Sequence, residues 1–230
     1  MEKLYGSKID LNEKLISEVS SGFEEPISPA SITLNLGALA MKFAQVERVP
    51  RYDEKTREND AEHSYMLALV ANELSSALYP ELNSGLIAQY AIVHDLIETV
   101  TGDVATFNLS AEQLEDKRAT EHAALGALVE SLPPYTAKLL CEYEDQQTKE
   151  ARFVKAVDKL LPIVVDIMGS GQKVMREDYN VSTPDELMDS HTKLHKRIAD
   201  SFEEFPPIVN AHELLCKLFE IEFEATTRLR

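Results

Sequence analysis

The chain has 230 residues, of which 44% are apolar and 27% charged, and it contains 8 Gly and 10 Pro. This composition is typical of a globular protein and excludes a disordered or fibrous one. The net charge of −17 at pH 7 repels polyanions, so we expect neither a nucleic-acid polymer nor an anionic membrane as a partner. A small phosphorylated substrate stays compatible with this charge, because a bound cation can reverse the local field.

The sequence carries no pattern typical of export or membrane insertion. No apolar run approaches the roughly 18 residues that span a bilayer, and the N-terminus lacks the basic-then-apolar pattern of a signal peptide. Cys141 and Cys216 lie far apart and outside any short metal or redox spacing, so we interpret them as apolar thiols in a reducing compartment. We therefore expect a soluble, cytoplasmic protein.

Helical periodicity dominates the chain and strand-like alternation is scarce, so the predicted fold class is all-α. We expect a loose or short-helical extension over residues 1–27, which are rich in Glu, Ser and Lys. One compact domain of about seven or eight packed helices should follow over residues 28–230. In chain order, the predicted helices cover residues 29–47, 62–78, 86–99, 111–132, 135–143, 149–168, 186–202 and 209–226.

Turn formers and charges predict how these helices are connected. Residues 48–61 contain a Pro and eight charged residues without an apolar period, which predicts an exposed connection. Pro162 predicts a kink within the helix at 149–168. Residues 169–185 contain two Gly, a Pro and several turn formers, which predict a long surface loop.

Four potential metal ligands stand out against this helical background. His63, His94, Asp95 and Asp158 come from three predicted helices, three of them at otherwise apolar positions where a carboxylate is expensive to bury without a partner. Adjacent helical residues point about 100° apart, so His94 and Asp95 can share one ion only if it lies across from other helices. Two imidazoles and two carboxylates suit a divalent transition ion such as Mn, Co, Fe or Zn.

Two further residues could act beside such an ion. Glu98 follows Asp95 by three residues and His94 by four, so it lies on the same helical face and could take a proton from a metal-bound water. The polar turn that ends this helix includes Asp103 and would line the opening of the same site. Arg48 begins the segment that leads to the helix of His63, and its guanidinium could hold a phosphate.

Each of these residues also has a structural interpretation. A His on an apolar face, such as His63, is more often a satisfied core residue than a ligand. Asp158 could pair with Lys155 or Lys159, and Arg48 could be one cation of a solvated loop. The conjunction of four potential ligands from three helices favours the metal site.

Three segments resemble the HD-domain metal-dependent phosphohydrolases, and within them the 5′-deoxynucleotidase-like branch, which hydrolyses deoxynucleoside monophosphates. They are Glu62-His63-Ser64, the ten residues from His94 to Asp103, and Lys155 to Leu160. The resemblance covers roughly residues 30–200. It implies a small nucleotide substrate and a divalent ion (Mn, Co, Mg, Zn or Fe), and it names four ligands: His63, His94, Asp95 and Asp158.

The resemblance also implies roles for three residues outside the ligand set. Glu98 matches the catalytic carboxylate that activates or assists the attacking water, Arg48 an arginine that holds the phosphate, and Asp103 a residue that contacts the 3′ side of the sugar. The bacterial deoxynucleotidases carry Trp where this chain has Val49, and commonly Pro where it has Ala105. We therefore expect sugar discrimination to be weaker or differently built here, and a different loop around the base.

The predicted reaction is hydrolysis of a (deoxy)nucleoside 5′-monophosphate to a nucleoside and phosphate. Alternatives within the superfamily are a nucleoside triphosphate triphosphohydrolase and a cyclic-nucleotide phosphodiesterase, and a non-catalytic nucleotide-binding protein is the alternative outside enzymes. The resemblance favours a homodimer, while the apolar residues of the last helix predict either core or a dimer surface. His191 and His195 are four residues apart among Lys and Arg, which favours a solvated basic face.

Overall fold

The computed structural model describes residues 28–228, so the expected extension over residues 1–27 lies outside the described residues. The chain divides into two units, residues 1–42 and residues 43–230. Two short strands are present, β1 (Glu47–Arg51) and β2 (Arg57–Asn59), and the other elements are helices. In chain order the helices are α1 (Pro29–Phe43), α2 (Asp60–Leu78), α3 (Ser84–Val93), α4 (Glu98–Thr101), α5 (Ala111–Ser131), α6 (Pro134–Asp145), α7 (Lys149–Asp158), α8 (Leu161–Met168), α9 (Gly171–Glu177), α10 (Pro184–Ser201) and α11 (Pro206–Arg228). The predicted all-α class is confirmed.

Helix α1 carries nearly all of the described residues of the first unit. Ser28 caps it, since its Oγ accepts a hydrogen bond from the backbone N–H of Ser31 at 3.2 Å. The helix ends at Phe43, before the predicted end at residue 47. In the second unit, no helix among the described residues is long and apolar enough to cross a membrane, and the same holds for α1.

The segment predicted as an exposed connection is instead an antiparallel hairpin, so that prediction is wrong. Strands β1 and β2 pair with Glu47 opposite Asn59 and Arg51 opposite Arg57. Arg48 and Arg51 are buried. Arg51 reaches Asp178 at 2.8 Å, so the cost of burying its charge is offset by a carboxylate far along the chain. Charge content alone therefore misjudged the exposure of this segment.

The predicted helix at 149–168 is broken into α7 and α8. Pro162 takes the second position of α8, where its missing N–H costs no helical hydrogen bond. The predicted surface loop at 169–185 is also wrong in part, because α9 lies within it and buries Val174 and Met175 in a core cluster with Leu187. The glycines of this segment allow close packing rather than a loop. A Cβ on Gly171 would lie 2.5 Å from the backbone oxygen of Asp166.

The core of the second unit fixes the three helices that carry the candidate metal ligands. Helices α2, α3 and α7 contact one another, with the fully buried side chains of Leu67, Ile87 and Phe153 on them. The Phe153 ring lies 5.3 Å from the Phe205 ring, measured between centroids. Because these three helices are fixed against each other, side chains at their adjoining ends are held in a defined arrangement.

The basic face predicted around His191 and His195 is wrong for His191, which is buried. Its Nδ1 lies 2.8 Å from Glu220 Oε1 on α11, while Nδ1 of His195 lies 3.3 Å from Nδ1 of His212. The contacts of α10 with α11 thus bury the rings of His191 and His212, while that of His195 stays half-buried. Both cysteines are free thiols, as interpreted from the sequence.

Helix α11 is both core and surface. Phe219 and Phe223 are fully buried, whereas Leu214 and Leu218 are exposed by 59% and 49%. One side of the helix is therefore core, as one of the two sequence alternatives predicted, and the other side is exposed. The homodimer stays a prediction.

Candidate functional site

Local capping positions the two histidines. Asn59 and Glu62 form a capping box at the start of α2, which fixes the first turn where His63 lies. His94 follows the last residue of α3, and its Nδ1 lies 3.0 Å from the backbone oxygen of Ala91. That contact assigns the proton to Nδ1 and leaves Nε2 as the ligand nitrogen.

A compact group of three side chains forms where α2, α3 and α7 adjoin. Nε2 of His63 lies 2.9 Å from Oδ1 of Asp158, and Nε2 of His94 lies 4.0 Å from the same oxygen. One ligand atom from each of the three residues lies within 4.8 Å of the others, and all three residues are buried. Two buried imidazoles and a buried carboxylate that converge in this way fit a divalent cation.

Asp95 lies at the border of this group rather than within it. Its Oδ2 is 2.8 Å from Nε2 of His94 and 2.9 Å from Nη1 of Arg48. Asp95 forms a second acidic group with Asp60 and Glu98. The structure thus brings together His63, His94 and Asp158 as the sequence predicted, with Asp95 between them and the guanidinium.

Arg48 lies among four carboxylates. Its Nη1 donates to Oδ1 of Asp60 at 3.0 Å and to Oδ2 of Asp95 at 2.9 Å. Its Nε lies 3.3 Å from Glu58 Oε2, and its Nη1 lies 3.8 Å from Glu98 Oε2. The solvated-loop interpretation of Arg48 is therefore wrong, because a buried guanidinium here neutralises a buried acidic cluster.

Glu98 occupies the wall between the acidic cluster and helix α5. Its Oε1 lies 3.3 Å from Nζ of Lys117, while its buried Oε2 has no hydrogen-bond partner among the described residues. Burial and the nearby carboxylates of Asp95 and Asp103 raise the pKa of Glu98 to about 10. At neutral pH Glu98 is therefore mainly protonated in this environment, and a cation beside it would favour the carboxylate that a base requires.

Opposite charges set the ionisation of the ligand group. Burial opposes the charged form of His63, but its hydrogen bond to Asp158 and contact with Glu58 raise its pKa to about 9. Burial also disfavours the Asp158 carboxylate, yet Lys159 and His63 hold its pKa well below the usual range. The cluster thus holds an ionised carboxylate in a buried position, where a cation is favoured.

A cavity of about 210 Å³ opens beside the cluster. Its walls include His94, Asp95, Asp158, Glu98 and Arg48. Asp103 also lines it, so the structure brings this predicted sugar-contacting residue into the same cavity. Burial, together with the charge of Asp95, raises the pKa of Asp103. The cavity joins the candidate ligands, the carboxylates and the guanidinium in one space.

Sequence reasoning missed two side chains that hold the site together. Glu58 is fully buried, with Oε2 3.3 Å from both Nδ1 of His63 and Nε of Arg48, and Asp60 is fully buried against Arg48. Lys159, considered only as an alternative partner of Asp158, contacts the Oδ2 that faces away from the histidines. The available signal was the spacing of Glu58 and Asp60, two residues apart directly before the helix of His63.

The chain is similar to several known proteins. A sequence model described as HD domain matches residues 41–206. The 5′-deoxynucleotidase HDDC2 of Xenopus laevis is 34% identical over 124 residues, which are 50% of this chain and 59% of that protein. The Homo sapiens protein of the same name is 32% identical over 124 residues, 50% of this chain and 58% of its own length. A 5′-deoxynucleotidase of Erwinia tasmaniensis is 30% identical, over 50% of this chain and 63% of that protein. The match therefore spans less than two thirds of these relatives.

Two solved structures share the fold. A predicted metal-dependent phosphohydrolase from Magnetospirillum magnetotacticum superposes with a TM-score of 0.61 at 24% identity, covering 85% of this chain and 98% of that one. A conserved hypothetical protein from Pyrococcus furiosus superposes with a TM-score of 0.50 at 25% identity, covering 77% and 98%. The helical fold is thus found in other proteins.

Proposed function

Since the chain belongs to the HD-domain family, we propose that it hydrolyses (deoxy)nucleoside 5′-monophosphates to a nucleoside and phosphate, with a divalent metal ion as cofactor. The observation that carries the proposal is the buried group of His63, His94 and Asp158 at the wall of a cavity that also presents Glu98 and Arg48. The similarity to curated 5′-deoxynucleotidases supports the choice of a nucleoside monophosphate as substrate.

His63, His94 and Asp158 would hold the ion, with Asp95 as the fourth ligand beside His94. When bound there, a divalent ion would polarise a phosphate oxygen, lower the pKa of a bound water and favour the ionised form of neighbouring carboxylates. Imidazole and carboxylate ligands accept several divalent ions. The physiological ion is therefore identified by comparing activity with Mn, Co, Mg, Zn and Fe.

Glu98 would act as the base. Its unpartnered Oε2 takes a proton from the attacking water as the water oxygen bonds to phosphorus. The ester bond between phosphorus and the 5′ oxygen breaks, and the proton passes to that oxygen to release the nucleoside. Lys117, 3.3 Å from Oε1, favours the ionised form of Glu98 before the transfer.

Arg48 and Asp103 would position the substrate. No hydrogen bond holds Nη2 of Arg48 among the described residues, so this end of the guanidinium can donate to phosphoryl oxygens and neutralise charge that develops there. The carboxylate of Asp103, at the cavity wall, can accept a hydrogen bond from a sugar hydroxyl.

The test is a product analysis with deoxy- and ribonucleoside mono- and triphosphates and cyclic nucleotides, each supplied with Mn, Co, Mg, Zn or Fe. We expect inorganic phosphate from the 5′-monophosphates. Glu98→Gln should lower kcat by about 10²- to 10⁴-fold, the range contributed by a general base, while metal content stays unchanged. Glu115→Gln, an exposed change on α5, is the matched control. Release of triphosphate, or turnover of cyclic nucleotides alone, would contradict the proposal.

A further inference from the structure

Lysine and arginine side chains line the cavity, and most of them are already paired with carboxylates. The ion pairs among the described residues join Arg48 to Asp60 and Asp95, Lys117 to Glu98 and Glu121, and Lys159 to Asp158. Lys155 also lines the cavity, but its ammonium takes part in no hydrogen bond or salt bridge within residues 28–228. The charges of Glu144 and Asp158 act on it only from a greater distance. Lys155 is therefore the cation of the cavity that has no close counter-charge in the described part of the chain.

The position of Lys155 on α7 brings it close to the candidate metal ligands. Lys155 precedes Asp158 by three residues, a spacing that puts both side chains on one face of the helix with Cβ atoms about 5–6 Å apart. Lys155 is half-buried. Because lysine carries its ammonium on a flexible four-carbon stem, this ammonium can reach a group that is bound beside Asp158 in the cavity.

The surroundings of Lys155 disfavour a positive charge that has no partner. Lys159 follows it by four residues on the same face, and like charges at that spacing repel each other. Burial and the charge of Lys159 lower the pKa of Lys155. An anion bound in the cavity would offset both the repulsion and the cost of burying the ammonium.

The charge of a phosphate monoester matches this requirement. Such a group carries about −1.5 to −2 at pH 7, and it would enter a cavity that carboxyl groups such as Glu98, Asp103 and Glu144 also line. The charge of Arg48 is already offset by Asp60 and Asp95. Lys155 can therefore supply positive charge that the acidic cavity otherwise lacks for a phosphoryl group.

We propose that Lys155 binds the phosphoryl group of the substrate, with its ammonium donating hydrogen bonds to phosphoryl oxygens. The inference rests on the proposed function, since it names the side chain that receives the charged part of that substrate. Arg48 and Lys155 then act together. The guanidinium orients the phosphoryl group, and the ammonium adds the charge that attracts it.

The test measures binding of inorganic phosphate to the Mn-loaded protein by calorimetry. Lys155→Met removes the charge but keeps an unbranched apolar side chain, and it should weaken phosphate binding about 10- to 100-fold, the range of one hydrogen bond to a charged group. Binding of a deoxynucleoside, which has no phosphate, should stay unchanged. Lys155→Arg should retain phosphate binding to within a few-fold, because a guanidinium also donates to phosphate. Lys138→Met, an exposed change on α6, is the control.

Several results would overturn the inference. Phosphate binding that Lys155→Met leaves intact would do so, as would an unaltered protein that binds no phosphate. An equal loss of phosphate and deoxynucleoside binding, or a loss of bound Mn from Lys155→Met, would assign Lys155 a structural role instead. If phosphate binding depends on Lys155 but no monophosphate is hydrolysed, the proposed reaction fails and the phosphate site stands. If Lys155→Met hydrolyses a deoxynucleoside 5′-monophosphate with unchanged kcat/KM, the reaction stands and the phosphate site fails.

Discussion

Replacing Arg48 by Ala tests whether the buried acidic cluster depends on one guanidinium. Nη1 of Arg48 donates to Asp60 at 3.0 Å and to Asp95 at 2.9 Å, and its Nε lies 3.3 Å from Glu58. The side chain of Arg48 is 10% exposed, and those of Glu58 and Asp60 are fully buried. Removing the cation therefore leaves negative charges in a medium that solvates them poorly.

The expected loss of stability can be worked out from these contacts. A hydrogen bond to a charged group contributes about 1.5–3 kcal/mol, and two are lost in Arg48→Ala. Breaking a buried ion pair by removing one partner costs about 3–5 kcal/mol. The two ranges overlap, so we expect the free energy of unfolding to fall by about 3–5 kcal/mol. At about 2–4 °C per kcal/mol for a chain of this length, the melting temperature should fall by roughly 6–20 °C.

Urea unfolding followed by circular dichroism, together with thermal melts, measures this loss. Arg118→Ala is the matched control, because the side chain of Arg118 is 76% exposed and lies 3.9 Å from a single carboxylate, that of Glu115. We expect the control to change stability by no more than about 0.5 kcal/mol. If Arg48→Ala unfolds within about 1 kcal/mol of the unaltered protein, the carboxylates do not need the guanidinium and the account of the cluster is wrong.

Three further changes have defined outcomes. Phe153→Ala removes a fully buried ring on α7 and should cost about 3–5 kcal/mol in urea unfolding; a loss below about 1 kcal/mol would refute its core role. Gly171→Ala places a Cβ 2.5 Å from a backbone oxygen and should lower the free energy of unfolding by about 1–3 kcal/mol. Gly126 lies in α5 with open space around it, so Gly126→Ala should raise the free energy of unfolding by about 0.5–1 kcal/mol in the same assay. Glu58→Gln weakens the partner of Nδ1 of His63 and should lower metal affinity about 10- to 100-fold by calorimetric titration. Unchanged affinity would show that Glu58 does not orient the ring.

The sequence predicted the centre of the site because the ligand residues break an apolar pattern. His94 and Asp158 lie among aliphatic residues, where an imidazole or carboxylate needs a partner, and the structure brings them to one point with His63. The same signal was present at Asp166, the single charged residue between Leu161 and Met168. Asp166 lines the cavity and is not part of the ligand group.

The segments around the site were less predictable, since their burial depends on distant partners. Residues 48–61 look exposed because of their charges, yet Arg51 is buried against Asp178 and Arg48 against Asp95, each far along the chain. A local pattern cannot show such a partner. In the same way, the glycine at the start of α9 looks like a loop former in the sequence. It is there because the backbone of α8 comes too close for a Cβ at Gly171.

The central claim is that His63, His94 and Asp158 bind a divalent ion that hydrolysis of a nucleoside monophosphate requires. The most direct measurement adds a divalent metal stepwise to chelator-treated protein while phosphate release from a deoxynucleoside 5′-monophosphate is recorded. We predict that activity rises with bound metal until the site is filled, and that Asp158→Ala neither binds the metal nor releases phosphate. Full turnover by the chelator-treated protein, or by Asp158→Ala, would contradict the account.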